Sequence, residues 1–164
     1  MDKQRVLEAL AYLLVIVVIL TLPLTLKAVL ATEVPLAVVK STSMTPTLNV
    51  GDIVIIVGIK PSEIHVGDII IYNERIMVQS FRDIHRYKPV KMDYIIIHRV
   101  VEVYHDPKTG KYYFITKGDN NAIRDPWIVP EDGILGKAVT VKLNGVEYIV
   151  KIPYIGFLSL YVHR

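Results

Sequence analysis

Apolar residues form one long run near the N-terminus and many short runs after it. The long run, residues 9–26, contains no charged residue. As a helix it would rise about 27 Å at ~1.5 Å per residue, close to the ~30 Å hydrocarbon core of a bilayer. Lys3 and Arg5 precede it, and Lys27 and Glu33 follow it. This charge pattern favours an N-terminus on the inside and a body on the outside.

A cleavable secretory signal is the alternative to a membrane anchor. Lys3 and Arg5 would form its basic front, and residues 29–31 would offer small residues near a cleavage point. The apolar run, however, exceeds the ~7–15 residues typical of the centre of a signal peptide. The length therefore predicts a transmembrane anchor over residues 1–31, followed by an extracytoplasmic domain over residues 32–164.

The shorter runs are rich in Ile, Val and Tyr and are separated by Gly, Pro, Asp and Asn, a pattern typical of β-strands. No helical period continues beyond Leu30. Residues 106–110 and Asn144-Gly145 have the composition of hairpin turns. A mainly β body is therefore predicted, with strands at 36–39, 53–57, 69–72, 94–104, 112–116, 135–143 and 147–152.

Three further segments have uncertain roles. Residues 50–55 resemble residues 66–71, and the simplest explanation is two turns that each begin a strand. Residues 73–93 form an irregular, basic insertion, either a surface excursion or a flap lying against anionic lipid headgroups. Residues 154–162 are apolar but too short to span a bilayer. They are predicted to form an interfacial foot or a last core strand.

Composition excludes several classes of site. The chain has no cysteine, which excludes disulfides, thiol nucleophiles and thiolate metal sites. The net charge of +3 is small and dispersed, which argues against a nucleic-acid partner. The five histidines lack the spacing of known metal-binding motifs, so neither a metal nor a cofactor is expected.

Ser43 is the candidate nucleophile, in a segment that reads Ser-Thr-Ser-Met-Thr-Pro over residues 41–46. A serine hydroxyl needs a neighbouring base to accept its proton. If the preceding strand continues that far, Ala37, Val39, Ser41 and Ser43 share one face. The Ser41 hydroxyl and the Ser43 N–H would then form an oxyanion-binding pair. The alternative is an ordinary Ser/Thr-rich loop.

His98 lies within an Ile/Val-rich strand, where a buried imidazole must be hydrogen-bonded. It is therefore either a structural histidine or a general base. Asp119 and Asp125 both follow this strand and have ordinary explanations as turn acids. Either could instead accept a hydrogen bond from the histidine Nδ1–H, and the sequence spacing does not separate them.

Taken together, these motifs resemble the type I signal peptidase family over nearly the whole chain. The resemblance lies in the apolar span, Ser-x-Ser-Met-x-Pro-Thr-Leu, Gly-Asp-Ile, His-Arg-Val and Lys-Gly-Asp-Asn-Asn, in this order. The bacterial branch of the family has lysine where this sequence has His98. In this respect the sequence is similar to the archaeal and endoplasmic-reticulum branch. The resemblance implies a signal-peptidase-like antiparallel β body. It also implies Ser43 as nucleophile, His98 as base, Asp125 as third triad member and Asp119 as a supporting acid.

The family's activity is removal of signal peptides from secretory preproteins through a serine acyl-enzyme. The resemblance implies partners of four kinds: signal peptides, membrane lipids, the protein-export channel and other signal peptidase subunits. Shallow pockets lined by Ala37, Val39 and Leu48 would accept small residues. The location would be the cell membrane or the endoplasmic reticulum membrane. One departure is Thr42, which stands where glycine is common in the family.

Two other functions are compatible with the same sequence. A serine–lysine protease of the self-cleaving repressor type would use Lys60, Lys88, Lys91 or Lys117 as its base. A non-catalytic, membrane-anchored β module would only bind peptides.

Overall fold

The N-terminal apolar run forms one helix, α1, over Lys3–Leu30. The computed structural model describes residues 2–73 and 95–158. Asp2 caps the start of α1 by accepting the Gln4 N–H, and Ala31 ends the helix with a left-handed backbone (φ 50°). No residue of α1 is buried, and its length and hydropathy are sufficient to cross a membrane.

The rest of the described chain is built from short strands, as predicted. Two 3₁₀ turns, Pro61–Glu63 and Glu131–Gly133, lie between them. The strands are β1 Leu36–Val38, β2 Ile53–Val57, β3 Ile69–Asn73, β4 Ile95–His105, β5 Tyr112–Lys117, β6 Val129–Pro130, β7 Ile134–Ala138, β8 Thr140–Leu143, β9 Val146–Ile149 and β10 Lys151–Ile152.

The strands pair in an antiparallel sheet in the order β1-β2-β7-β3-β4-β5-β6, with β10 also paired to β2. The β8–β9 hairpin forms a separate two-stranded sheet. The prediction of a mainly β, antiparallel body with one N-terminal apolar helix is confirmed. The predicted strands 135–143 and 147–152 are each divided in two, because Val139 and Val150 bond to one another and to Ile55 on β2.

The central strand β3 is buried on both sides, which explains its unbroken Ile-Ile-Ile-Tyr sequence. Ile69 and Ile71 contribute to one apolar cluster, which includes Met44 and Leu48. Ile70 and Tyr72 contribute to the other cluster, with Val100, Phe114 and Val129. The two core clusters hold β3, β4 and β5 in register, and these are the strands that carry the site.

Two predicted segments fall wholly or partly outside the described residues. Of the insertion at 73–93, only Asn73, the last residue of β3, is described. Of the apolar segment 154–162, residues 154–158 are described. They form a turn that leads into helical backbone, so this part is not a core strand. Gly156 is buried there and donates its N–H to Gly51 O.

The two similar segments 50–55 and 66–71 are indeed two turns that each begin a strand. In the first, the Asp52 carboxylate accepts the Asn49 N–H at 2.9 Å; in the second, Asp68 accepts the His65 N–H at 2.9 Å. The glycines before these acids have φ of 86° and 101°, a region that favours glycine. Each acid also pairs with a lysine of a neighbouring strand, at 2.7 Å for Lys151 and 2.5 Å for Lys137.

The Asp52–Lys151 pair has a buried carboxylate, whereas both side chains of the Asp132–Lys111 pair are exposed, and this difference provides a stability test. Asp52 is fully buried and its Oδ1 atom has no hydrogen-bond partner within the described residues. Lys151→Met would leave this carboxylate without a counter-charge, and we expect a loss of about 3–5 kcal/mol in the free energy of unfolding.

The matched control is Lys111→Met, because Lys111 and Asp132 pair at 2.9 Å with both side chains exposed. Removing that pair is expected to cost less than ~1 kcal/mol. Urea titration of the full chain in detergent, followed by fluorescence of its single tryptophan, measures both variants. Equal losses in the two variants would contradict the assigned importance of the buried pair.

Candidate active site

Ser43 lies on a turn, residues 41–48, that leaves the sheet after β1. The strand ends at Val38, so the condition for a shared strand face, that β1 continue to residue 43, is not met. The chain must turn there so that Met44 and Leu48 can both enter the first apolar cluster, where they are 2% and 0% exposed. A backbone hydrogen bond from Leu48 N to Met44 O, 2.9 Å long, closes this turn. We call residues 41–48 the nucleophile turn, after the candidate nucleophile Ser43 that it carries.

His98 connects the nucleophile turn to an acid. It lies on β4 opposite Ile70 of β3, and only 7% of it is exposed. Its Nε2 atom is 3.1 Å from Ser43 Oγ, and its Nδ1 atom is 2.6 Å from Asp125 Oδ2. The structure therefore brings together a hydroxyl, an imidazole and a carboxylate that are far apart in the sequence. This is the geometry of a serine–histidine–aspartate triad.

Asp125 is buried and is held in place by β5 and β3. Its N–H donates to Thr116 O at 2.8 Å, its Oδ2 accepts the Thr116 hydroxyl at 2.6 Å, and the Tyr72 hydroxyl lies 3.3 Å from the same Oδ2 atom. Burial raises the pKa of Tyr72, and the nearby Asp125 charge raises it further. Tyr72 therefore stays protonated and remains a donor. Neither Thr116 nor Tyr72 could be assigned to the site from the sequence. The one signal for such a role was a hydroxyl group at a strand position expected to be buried.

Asp119 has different partners from Asp125. Its carboxylate accepts two hydrogen bonds from Arg99, at 2.8 and 2.7 Å, and one from the Thr47 hydroxyl at 2.5 Å. Burial opposes ionisation, but the Arg99 and Thr47 hydrogen bonds and the Arg99 charge outweigh it, so the pKa of Asp119 lies below its ordinary value. The hydrogen bonds from Arg99 to Asp119 also raise the pKa of Arg99. Asp119 thus joins β4 to the nucleophile turn.

The segment Gly118–Asn121 also holds the backbone of Ser43 directly. Asn120 N donates to Ser43 O at 2.8 Å, and the Asn120 side-chain amide donates to Thr42 O at 3.2 Å. A Cβ atom at Gly118 would lie 2.6 Å from Ser43 O, so only glycine permits this close approach. The Gly-Asp-Asn sequence is therefore a clamp on the nucleophile turn.

The predicted oxyanion pair is Ser41 with the N–H of Ser43. The Ser41 Oγ atom is 3.1 Å from the Ser43 Oγ atom, so the two hydroxyls are neighbours even though they do not share a strand face. Ser41 is exposed and Ser43 is half-buried. A second hydroxyl beside that of Ser43 is suitably located to donate to an oxygen anion formed there.

A cleft of about 590 Å³ opens beside these residues. Of the three residues expected in substrate pockets, Ala37 and Val39 line this cleft, whereas Leu48 is completely buried in the core and does not. Leu48 is therefore unavailable to a substrate in this cleft. Sequence analysis did not identify the other walls, Ile95–Ile97 on β4 and Trp127 after β5. Within residues 2–73 and 95–158, no group of three or more acid or histidine side chains could hold a metal ion.

Comparison with known proteins identifies the family. The model of the family "Signal peptidase, peptidase S26" matches residues 7–103, which include most of the apolar helix, the nucleophile turn and His98. The chain belongs to this family.

Two curated relatives are catalytic subunits of the signal peptidase complex. The chain is 28% identical to SEC11C of Homo sapiens over 130 residues, which is 78% of this chain and 57% of the relative. It is 32% identical to SEC11 of Plasmodium falciparum over 133 residues, 80% of this chain and 60% of the relative. The match thus spans less than two thirds of the length of either relative.

An uncharacterized protein of Methanocaldococcus jannaschii is also similar. It is 27% identical over 172 aligned positions, covering 76% of this chain and 82% of that protein.

The Asp119 interactions predict an acid-sensitive stability. A carboxyl with a depressed pKa stabilises the fold above its unfolded pKa of ~3.9, and this contribution is lost as the pH falls through the folded pKa. Asp119→Asn should therefore lower the free energy of unfolding at neutral pH by about 1.5–3 kcal/mol, the range for hydrogen bonds to charged groups. The difference between wild type and variant should shrink below about pH 4.

Unfolding midpoints of the full chain, measured from pH 7 to pH 3, test this expectation. Asp132→Asn is the control, because the Asp132–Lys111 pair is exposed. A wild-type advantage over Asp119→Asn that stays constant across this range would contradict the role given to the ionised carboxylate.

Proposed function

We propose that this chain is a membrane-bound serine endopeptidase that removes signal peptides from secretory preproteins. The observation that carries the proposal is the continuous line from Ser43 Oγ through the His98 ring to Asp125 Oδ2, at the edge of an apolar cleft. Membership of the signal peptidase family, and relatives named as signal peptidase catalytic subunits, support the same function.

The geometry allows each step of an acyl-enzyme mechanism. With His98 Nδ1–H donating to Asp125, the Nε2 atom is free to accept the Ser43 proton as Oγ attacks the scissile carbonyl. The Ser41 hydroxyl and the Ser43 N–H would stabilise the resulting oxyanion, and such a donor typically contributes about 10²–10³ in rate. His98 then passes the proton to the departing amine. A water molecule, deprotonated by the same imidazole, hydrolyses the ester on Ser43.

The cleft wall on β1 provides a surface for an extended peptide. Within the described residues β1 pairs only with β2, so its other edge is free to bind a substrate strand through backbone hydrogen bonds. Ala37 and Val39 line the cleft next to this edge. A peptide bound along this edge would place its side chains in shallow pockets lined by Ala37 and Val39. Such pockets favour small side chains one and three residues before the cleaved bond.

The helix α1 is the proposed membrane anchor over residues 1–31, with residues 32–164 as the extracytoplasmic catalytic domain. The helix joins the body closely: Gly58 N donates to Leu30 O at 2.7 Å, and the Thr32 hydroxyl donates to Leu135 O at 2.7 Å. A Cβ atom on Gly58 would lie 1.9 Å from Ala31 O, so this contact requires glycine. Anchoring confines enzyme and preprotein to one surface and raises their effective concentration.

The proposed location is the cell membrane or the endoplasmic reticulum membrane, with a single span. Membrane lipids and signal peptides are the proposed partners there. The export channel and other signal peptidase subunits are further proposed partners, because two of the relatives are named as subunits of a complex.

Cleavage assays separate this function from its two alternatives. Ser43→Ala and His98→Ala should each reduce cleavage of a preprotein in detergent by about 10⁴-fold or more, because triad residues act as a unit. A serine–lysine protease would lose its activity in a lysine variant, whereas Lys60→Ala and Lys117→Ala should retain most of theirs. Full activity in His98→Ala would overturn the assignment of the base.

The other two candidate lysines, Lys88 and Lys91, lie outside the described residues. Their alanine variants are measured in the same assay and should also retain most of their activity. A non-catalytic peptide-binding module predicts no cleavage by the wild-type chain. Under that alternative Ser43→Ala would have no effect in any cleavage assay.

A further inference from the structure

Behind Asp125, three side chains from separate parts of the chain form a continuous line of hydrogen bonds. The Trp127 Nε1 atom is 3.1 Å from the Tyr72 hydroxyl, which is 3.0 Å from the Thr116 hydroxyl. The Thr116 hydroxyl is in turn 2.6 Å from Asp125 Oδ2. Tyr72 and Thr116 are completely buried, and Trp127 is half-buried in the cleft wall.

The chemistry of these groups fixes the direction of the line. An indole N–H only donates and a carboxylate only accepts, while each hydroxyl has one proton to give. The proton of Thr116 therefore goes to Asp125, the closer acceptor, and Thr116 accepts from Tyr72. Tyr72 in turn accepts from Trp127. Every bond points towards the carboxylate, and the raised pKa of Tyr72 keeps its proton in place.

We propose that Thr116 and Tyr72 are positioning residues, which hold the Asp125 carboxylate so that it fixes the tautomer and ring orientation of His98. The proposal rests on the catalytic function proposed above. A carboxylate in this buried position needs several donors, and its orientation is set by those that do not come from the base. The hydrogen bond from Thr116 is, at 2.6 Å, as short as that from His98.

The alternative is that the line only satisfies buried hydroxyls and contributes to stability. The two roles differ in what happens at His98. If the role is purely structural, removing a hydroxyl from the line changes the unfolding midpoint, but the Nδ1–H···Oδ2 bond is unchanged in the molecules that fold. A positioning role changes that bond in the folded protein, and with it the rate of the chemical step.

The test uses four variants of the full chain in detergent. Thr116→Val keeps the side-chain shape but removes the donor, Thr116→Ser keeps the donor, and Tyr72→Phe removes the second hydroxyl in the line. Tyr113→Phe is the matched control, because Tyr113 is a nearly buried tyrosine on β5 whose ring contacts Tyr104. The readouts are kcat, KM and the proton NMR signal of His98 Nδ1–H in histidine-labelled protein, assigned with His98→Gln.

For Thr116→Val we expect kcat to fall about 10–100-fold with KM unchanged, since a small misplacement of a catalytic group is this costly. The Nδ1–H signal should shift or broaden. Thr116→Ser should restore both readouts, Tyr72→Phe should give a smaller change in the same direction, and Tyr113→Phe should match the wild type.

A wild-type Nδ1–H signal and kcat in Thr116→Val would overturn the proposal. Equal losses of kcat in Thr116→Val and Thr116→Ser, with an unchanged signal, would overturn it as well. The NMR readout does not depend on catalysis. If the signal responds as expected but the wild-type chain cleaves no preprotein, the effect of Thr116 on the His98–Asp125 bond is supported and the proposed function is contradicted.

Discussion

The hydrogen bond between His98 Nδ1 and Asp125 Oδ2, 2.6 Å long and buried, is the interaction around which the rest of the body is organised. A carboxylate out of water needs donors on several sides, or it loses its hydration without compensation. Here the side chains within hydrogen-bond distance of the Asp125 Oδ2 atom come from β4, from β5 and from β3, the strand between β4 and β7. These strands must therefore be neighbours in fixed register, and the two apolar clusters on either side of β3 enforce that arrangement.

The two acids that follow β5 hold different parts of the site in place. Asp125 faces the imidazole, while Asp119 ties Arg99 of β4 to Thr47 of the nucleophile turn. On either side of Asp119, Asn120 donates its N–H to the Ser43 carbonyl and Gly118 lies close against it. The turn that carries Ser43 has no strand or helix of its own to fix it, so these contacts and the buried Met44 and Leu48 do so. A site built this way is preorganised before a substrate arrives.

Much of this arrangement could be predicted from the sequence, because strand composition and turn residues are local signals. The apolar helix and nearly all of the strands follow from them, whereas β6 does not. The family resemblance pointed to Ser43, His98 and Asp125, which the fold brings within hydrogen-bond distance. Other features depend on tertiary packing. Leu48 was expected in the cleft, but the turn directs it into the core. Thr116 and Tyr72 resemble ordinary strand residues, and only the fold brings them behind Asp125.

Chemical trapping of the acyl-enzyme measures the central claim most directly. The full chain in detergent is mixed with an activated ester of a short peptide that ends in alanine, quenched with acid, digested and analysed by mass spectrometry. The account predicts that the acyl mass is found on Ser43 and that His98→Ala greatly slows its appearance. An acyl group found only on another residue, or formed at the same rate without the imidazole, would contradict the account.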